Sequence, residues 1–190
     1  LHPLWASAIT YLIGSVLLVL WRPAVLHELL NNKPLWVLGF AAGATMVGFN
    51  WGVAIADVIR VVLLFYLMPV WALLLARWVL KEPLTLRGLG RTALALLGAV
   101  LVLSPTGQVG LPLPQGLGEW LGLMGGAFFA LNNVLLRHQA DRSEPARLLG
   151  MFVGGVWVPA GVALVLGVVL PALGLQVGLS AQGPAVPWPA

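Results

Sequence analysis

The chain has 190 residues, of which 60% are hydrophobic and only 8% charged, with a formal net charge of +4. Soluble domains carry about a quarter charged residues to meet water, so a water-soluble globular fold is excluded and a chain embedded in lipid is expected. The absence of cysteine also excludes disulfides and thiol catalysis.

Apolar runs of about 18 or more residues read as membrane-spanning helices, and six are predicted. The first is Leu4–Trp21. No charged leader precedes it, and the small residues Ala6-Ser7-Ala8 come before most of the apolar run, so no signal peptide is expected. The chain reads as a piece of something longer. The second span is Leu35–Ala56, in which Gly39, Gly43, Met46 and Asn50 share one helical face by their spacing. A tight turn around Asp57 leads into the third span, Val58–Leu80, so these two form an antiparallel hairpin. Asp57 is placed to cap the third helix and to pair with Arg60 three residues on, or with it to form an external gate. Pro69 sits near the centre of this span and frees the carbonyl of Phe65, which suggests a hinge.

The fourth span is Gly88–Ser104. Thr106–Gly118 is rich in Gly and Pro, uncharged, and reads as a loop. The fifth span, Glu119–Arg137, follows with a small residue at every fourth position: Gly118, Gly122, Gly126 and Ala130. Such stripes let helix backbones approach closely. The sixth is Leu148–Leu170, where Pro159 frees the carbonyl of Gly155 as a hinge or a ligand-facing group. Pro171–Ala190, with four prolines, is expected as a further loop.

Nine of the ten Lys and Arg residues fall in three alternate gaps: Arg22 with Lys33; Arg77, Lys81, Arg87 and Arg91; Arg137, Arg142 and Arg147. Cytoplasmic loops accumulate such residues, so these gaps are expected in the cytoplasm and both ends of the chain outside. The bases are thereby assigned to orientation and anionic lipid. No basic-aromatic cluster of the kind that nucleic acid needs is present.

Polar side chains inside the slab are few, and these usually face the bundle interior. Asn50 and Tyr66 lie outward of the centres of their spans by about 7 and 5 Å, and Asn132 and Asn133 lie a similar distance inward, at roughly 1.5 Å per residue. Asn50 reads equally as a ligand contact or as helix-helix glue. Tyr66 and Trp51 read as ligand contacts or as packing, and Trp71 is deep enough to need a partner. Adjacent residues diverge by about 100° on a helix, so only one of Asn132 and Asn133 is expected to face a pathway. No carboxylate lies near a span centre. His2, His27 and His138 lie near span ends with no metal-ligand spacing, so no metal, cofactor or enzyme chemistry is expected.

Phe49-Asn50-Trp51, the run Arg60 to Trp71 with its Leu67-Met68-Pro69, the segment Leu80-Lys81-Glu82-Pro83-Leu84, and Gly88 through Gly98 and Val102 together resemble the drug/metabolite transporter superfamily, in its EamA-type family. Ala130-Leu131-Asn132-Asn133 and Arg137 resemble the opening helix of that family's second half. The resemblance implies an all-α polytopic bundle, with six helices here out of ten arranged as two inverted repeats. Residues 1–105 would be a first repeat lacking its first helix, 106–118 an external linker, and 119–190 the start of the second repeat. It further implies an inner-membrane carrier, an exporter of small metabolites by alternating access. The expected cavity is lined by Asn50, Trp51, Tyr66, Trp71 and Asn132 or Asn133, with Pro69 as the bend. The partners implied are a small-molecule metabolite and the lipid bilayer, with a homodimer left open. The rival reading is a non-transporting membrane assembly protein whose small-residue stripes bind partner helices.

Overall fold

The computed structural model describes residues 3–81, 83, 85–103 and 114–169. The predicted tail Pro171–Ala190 and most of the predicted loop Thr106–Gly118 lie outside them. Every regular element among the described residues is helical. Five helical stretches are long and apolar enough to cross a membrane: Pro3–Trp21, Lys33–Ile55, Val58–Val79, Leu117–His138 and Glu144–Val168. They coincide with the predicted spans one, two, three, five and six. The predicted fourth span is helical from Leu86 to Leu103. Arg87 and Arg91 occupy its first two turns, so its described apolar part begins at Thr92.

Helix α1 (Pro3–Trp21) carries three Ser and Thr hydroxyls, and each bonds back along its own helix: Ser7 to the Pro3 carbonyl at 3.1 Å, Thr10 to Ala6 at 3.0 Å and Ser15 to Tyr11 at 2.8 Å. Local bonding of this kind spares a hydroxyl the cost of an unmet donor in hydrocarbon. The gap after it is not a plain loop. Ala24–Asn31 folds as α2, a short helix that lays Val25 and Leu29 into the core.

Helix α3 (Lys33–Met46) passes through a π-helical turn at Val47–Trp51 into α4 (Gly52–Ile55). The expected hairpin turn follows, with Ala56 and Asp57 extended. The third span is two helices, α5 (Val58–Phe65) and α6 (Met68–Val79), broken at Tyr66–Leu67 with Pro69 in the first turn of α6. The break lies just before Pro69, the residue expected as a hinge. Proline cannot donate to the carbonyl four residues back, and the freed Phe65 carbonyl lies against Gly126. A Cβ there would sit 2.5 Å from that oxygen. Helix α7 (Leu86–Leu103) is followed by α8 (Leu117–His138) and α9 (Glu144–Leu164), which runs on into a π-turn at Val165–Val169.

Two helices organise the bundle. Helix α9 lies against both α1 and α3, and α8 against α3, α4, α5 and α6; α7 touches α6 and α5. Glycine decides these pairings. Gly39 and Gly43 of α3 meet the Gly150 and Gly154 carbonyls of α9, Gly48 meets Gly125 of α8, and the Gly118, Gly122 and Gly126 stripe meets Ala56, Val61 and Phe65. The stripes are therefore occupied inside the bundle.

The core has two centres. One, at the end holding the first and third basic gaps, gathers Leu18, Leu29, Leu35, Leu38 and Leu149. The other gathers Leu4, Val47, Trp51, Val158 and Ala163. At the basic end the loops lock together: Ser143 donates to Glu28 Oε2 at 2.7 Å, Arg142 Nη1 to Asn32 Oδ1 at 2.6 Å, and Gln139 Nε2 to the Pro34 carbonyl at 3.0 Å. Arg77, Arg91 and Arg137 line one cavity, so all three basic gaps lie at one end, as their predicted alternation requires.

Candidate functional site

Between the two core centres, at mid-height, a cavity of about 140 Å³ opens among α1, α3, α8 and α9. Its walls include Tyr11, Thr45, Met46, Phe129, Asn132 and Phe152. The aromatic wall is built reciprocally. Tyr11 and Phe152 face each other across the α1–α9 seam, ring centroids 5.7 Å apart and planes tilted by 58°. Gly14, three residues after Tyr11, gives room to Phe152 (3.0 Å to its ring), and Gly155, three after Phe152, gives room to Tyr11 (2.7 Å). A Cβ at Gly155 would strike the Tyr11 ring, and one at Gly14 would crowd the Phe152 ring.

The hydroxyls in this wall already have partners within the protein. Tyr11 donates to Met46 Sδ at 3.2 Å, and Thr45 to the Ala41 carbonyl at 2.8 Å. Asn132 differs. Its residue is 5% exposed, and its Oδ1 is buried with no hydrogen-bond partner among the described residues. A buried acceptor left unmet costs about 1–3 kcal/mol. Such an oxygen beside a cavity is equipped to take an N–H or O–H donor from whatever enters.

The other expected site residues are not gathered there. Asn133, as the 100° divergence required, points out and donates Nδ2 to the Phe129 carbonyl at 2.9 Å. Asn50 donates Nδ2 to Ser7 Oγ at 2.8 Å, tying the π-turn to α1 as interhelical glue. Trp51 is buried with Leu4, Val47, Val158 and Ala163, which is a packing position. Tyr66 lies at the break between α5 and α6 and is 52% exposed. Trp71 is partly buried, with an Nε1 that also lacks a partner among the described residues. Pro69 lines the cavity at the basic end instead. The central wall residues Tyr11, Thr45, Phe129 and Phe152 escaped the sequence reading, and Met46 was placed only on a shared helical face. The signal available was the aromatic-x-x-Gly spacing shared by Tyr11–Gly14 and Phe152–Gly155.

At the opposite end from the basic gaps, Asp57 caps α5 by accepting the Arg60 backbone N–H at 3.0 Å. The Arg60 side chain goes elsewhere: Nε lies 3.2 Å from Glu119 Oε1 and Nη1 is 3.4 Å from Gln115 Oε1. Glu119 is 7% exposed and its Oε2 accepts the Gln115 N–H at 2.9 Å. The guanidinium partner is thus Glu119 across the bundle, where the spacing of three had pointed to Asp57. Arg60 and Glu119 latch α5 to α8, and Asp57 only caps α5.

Residues 1–104, more than half of the chain, match the sequence model of the EamA-like transporter family. Neither the curated proteins nor the solved structures contain a match to the chain.

Proposed function

The chain belongs to the EamA-like transporter family, and from that premise we propose that it supplies the metabolite-binding half of an outward-directed carrier working by alternating access. The family consists of membrane transporters of small molecules, and the multi-pass helical bundle is the architecture this needs. The observation that carries the site is the unpartnered Asn132 Oδ1 beside a mid-height cavity. Its walls are aromatic, thioether and amide, with no carboxylate, so the reading is a small neutral or zwitterionic metabolite presenting one N–H or O–H to Asn132 and an apolar body to Tyr11 and Phe152. The volume is below the range of about 300–1,000 Å³ typical for drug-sized ligands, so it suits a small molecule or one end of a larger one.

Inverted repeats place substrate near the midplane where the halves meet. The Tyr11–Gly14 and Phe152–Gly155 pairing supports that arrangement, since α1 and α9 offer each other the same aromatic-x-x-Gly device across their seam. In this reading the six helices are the second to seventh of ten, the basic end is cytoplasmic, and the membrane is the inner one. The assembly-protein alternative has lost its main support, because the small-residue stripes are filled within the bundle.

The test compares metabolite levels inside and outside cells carrying the full-length protein, wild type against Asn132→Leu. Leucine is near-isosteric and removes the unmet acceptor, so thermal stability should hold or rise by about 1 kcal/mol while export of the wild type's substrates is lost. Export equal to wild type at equal expression would remove Asn132 from the pathway.

A further inference from the structure

A second cavity, of about 490 Å³, opens at the basic end between α6, α7 and the last turn of α8. Its composition changes along its depth. Pro69, Ala72, Leu73 and Ala76 form an apolar wall on α6, and Arg77, Arg91 and Arg137 form the rim. Arg77 to Pro69 spans eight residues, or about 12 Å of helix, so the wall runs well into the slab. Thr85 and Thr92 add hydroxyls. Thr85 Oγ1 caps α7 by accepting the Gly88 N–H at 3.1 Å, which leaves its own proton to donate. The N-terminal end of this 18-residue helix brings the positive end of its dipole to the same rim.

We infer that this cavity binds a phosphate-bearing amphiphile, with the phosphate on Arg77, Arg91 and Thr92 and the apolar body along the α6 wall. Two guanidinium groups from two helices, Arg77 and Arg91, focus positive potential in a cleft with low-dielectric walls. Guanidinium matches phosphate with paired parallel hydrogen bonds, which an ammonium does not. Residues that only set orientation need charge and no such convergence, and nothing in that role calls for an apolar wall beneath them. The site is separate from the Asn132 cavity and does not depend on the transport reading. An anionic phospholipid of the surrounding leaflet and a soluble phosphorylated compound share the headgroup chemistry. The apolar wall favours the lipid.

The test uses the full-length protein in a neutral detergent with a fluorescent short-chain phosphatidylglycerol as probe. Saturable binding is expected, weakened about tenfold in the Arg77→Lys/Arg91→Lys double variant, since a charge-assisted pair carries about that factor. Thr92→Val should weaken it by a smaller factor, and Arg22→Lys, at the same end but outside this cavity, should leave it unchanged. The double variant preserves net charge, so the orientation bias is retained. Inorganic phosphate competing at millimolar concentration would identify the phosphate group alone as sufficient and point to a soluble ligand. Phosphatidylglycerol binding that phosphate does not displace would identify the lipid. Binding by the double lysine variant equal to wild type, an equal loss in Arg22→Lys, or no saturable binding of either probe would overturn the site.

Discussion

Arg60 has two acidic neighbours, and the geometry gives them different tasks. The Asp57 carboxylate is spent on the Arg60 backbone N–H, while the guanidinium lies on Glu119. A double-mutant cycle separates the two, because coupling appears only between side chains that interact. Arg60→Gln and Glu119→Gln should couple by about 0.5–1 kcal/mol, near the exposed-pair range, because the Arg60 side chain remains 41% exposed. Arg60→Gln and Asp57→Asn should be additive, since asparagine caps about as well as aspartate. Chemical or thermal unfolding of the three single and two double variants in detergent measures both terms, and coupling to Asp57 in place of Glu119 would reverse the assignment. Sequence spacing exposed the cap because a cap is local. It missed Glu119 because nothing in a linear chain says that residues 60 and 119 meet. The same limit explains the central site. The divergence of Asn132 from Asn133 follows from helix geometry alone, whereas Tyr11 and Phe152 gain their meaning only once α1 and α9 are side by side.

At the level of helices, glycines set which pairs can touch. A Cβ at Gly154 would overlap the Gly39 carbonyl, and backbone cannot step aside as a flexible side chain can. Gly154→Ala should therefore force α3 and α9 apart and cost about 1–3 kcal/mol, as overpacking does. Gly161 lies two turns further along the same helix with nothing within 4 Å of its would-be Cβ. Gly161→Ala should be neutral or stabilising by up to about 1 kcal/mol, because alanine restricts the unfolded chain and favours helix. Unfolding midpoints for the two variants should move in opposite directions or differ clearly in size, and equal losses would show that glycine here is not about close approach. That stripes of small residues exist was plain in the sequence, and so were the span boundaries, because hydropathy is a local sum. Which stripe faces which helix was not. Gly43 and Gly48 are five residues apart, about 140° around an α-helix, so one span serves α9 with its first half and α8 with its second, through a π-turn that no residue pattern announced. Short α2 was hidden for a related reason. Its two buried positions, Val25 and Leu29, make too brief a period to stand out between charged flanks.

For the whole molecule, sidedness is the property that sequence and structure reach by separate routes. The alternation of basic gaps predicts it from lipid and translocation electrostatics. The fold reaches it through contacts: Glu28 with Ser143 and Arg142 with Asn32 join the first and last basic gaps, while Arg60 with Glu119 and Asn50 with Ser7 join the opposite ends. Each route fixes which segments share a side, and only the charge rule says which side is the cytoplasm. These 190 residues hold no cysteine, so a single introduced thiol is the one reporter within them. Asn31→Cys, Asp141→Cys and Gln115→Cys each place a thiol at an exposed position clear of the membrane core. A membrane-impermeant maleimide added to intact cells should label Gln115→Cys at once, and the other two only after permeabilisation. Reversed labelling of all three would keep the fold and overturn the cytoplasmic assignment of the arginine-rich end, and with it the leaflet in which the phosphate site lies. Labelling of Asn31→Cys and Asp141→Cys from opposite sides would contradict the bundle itself, because the loops that carry them are hydrogen-bonded to each other.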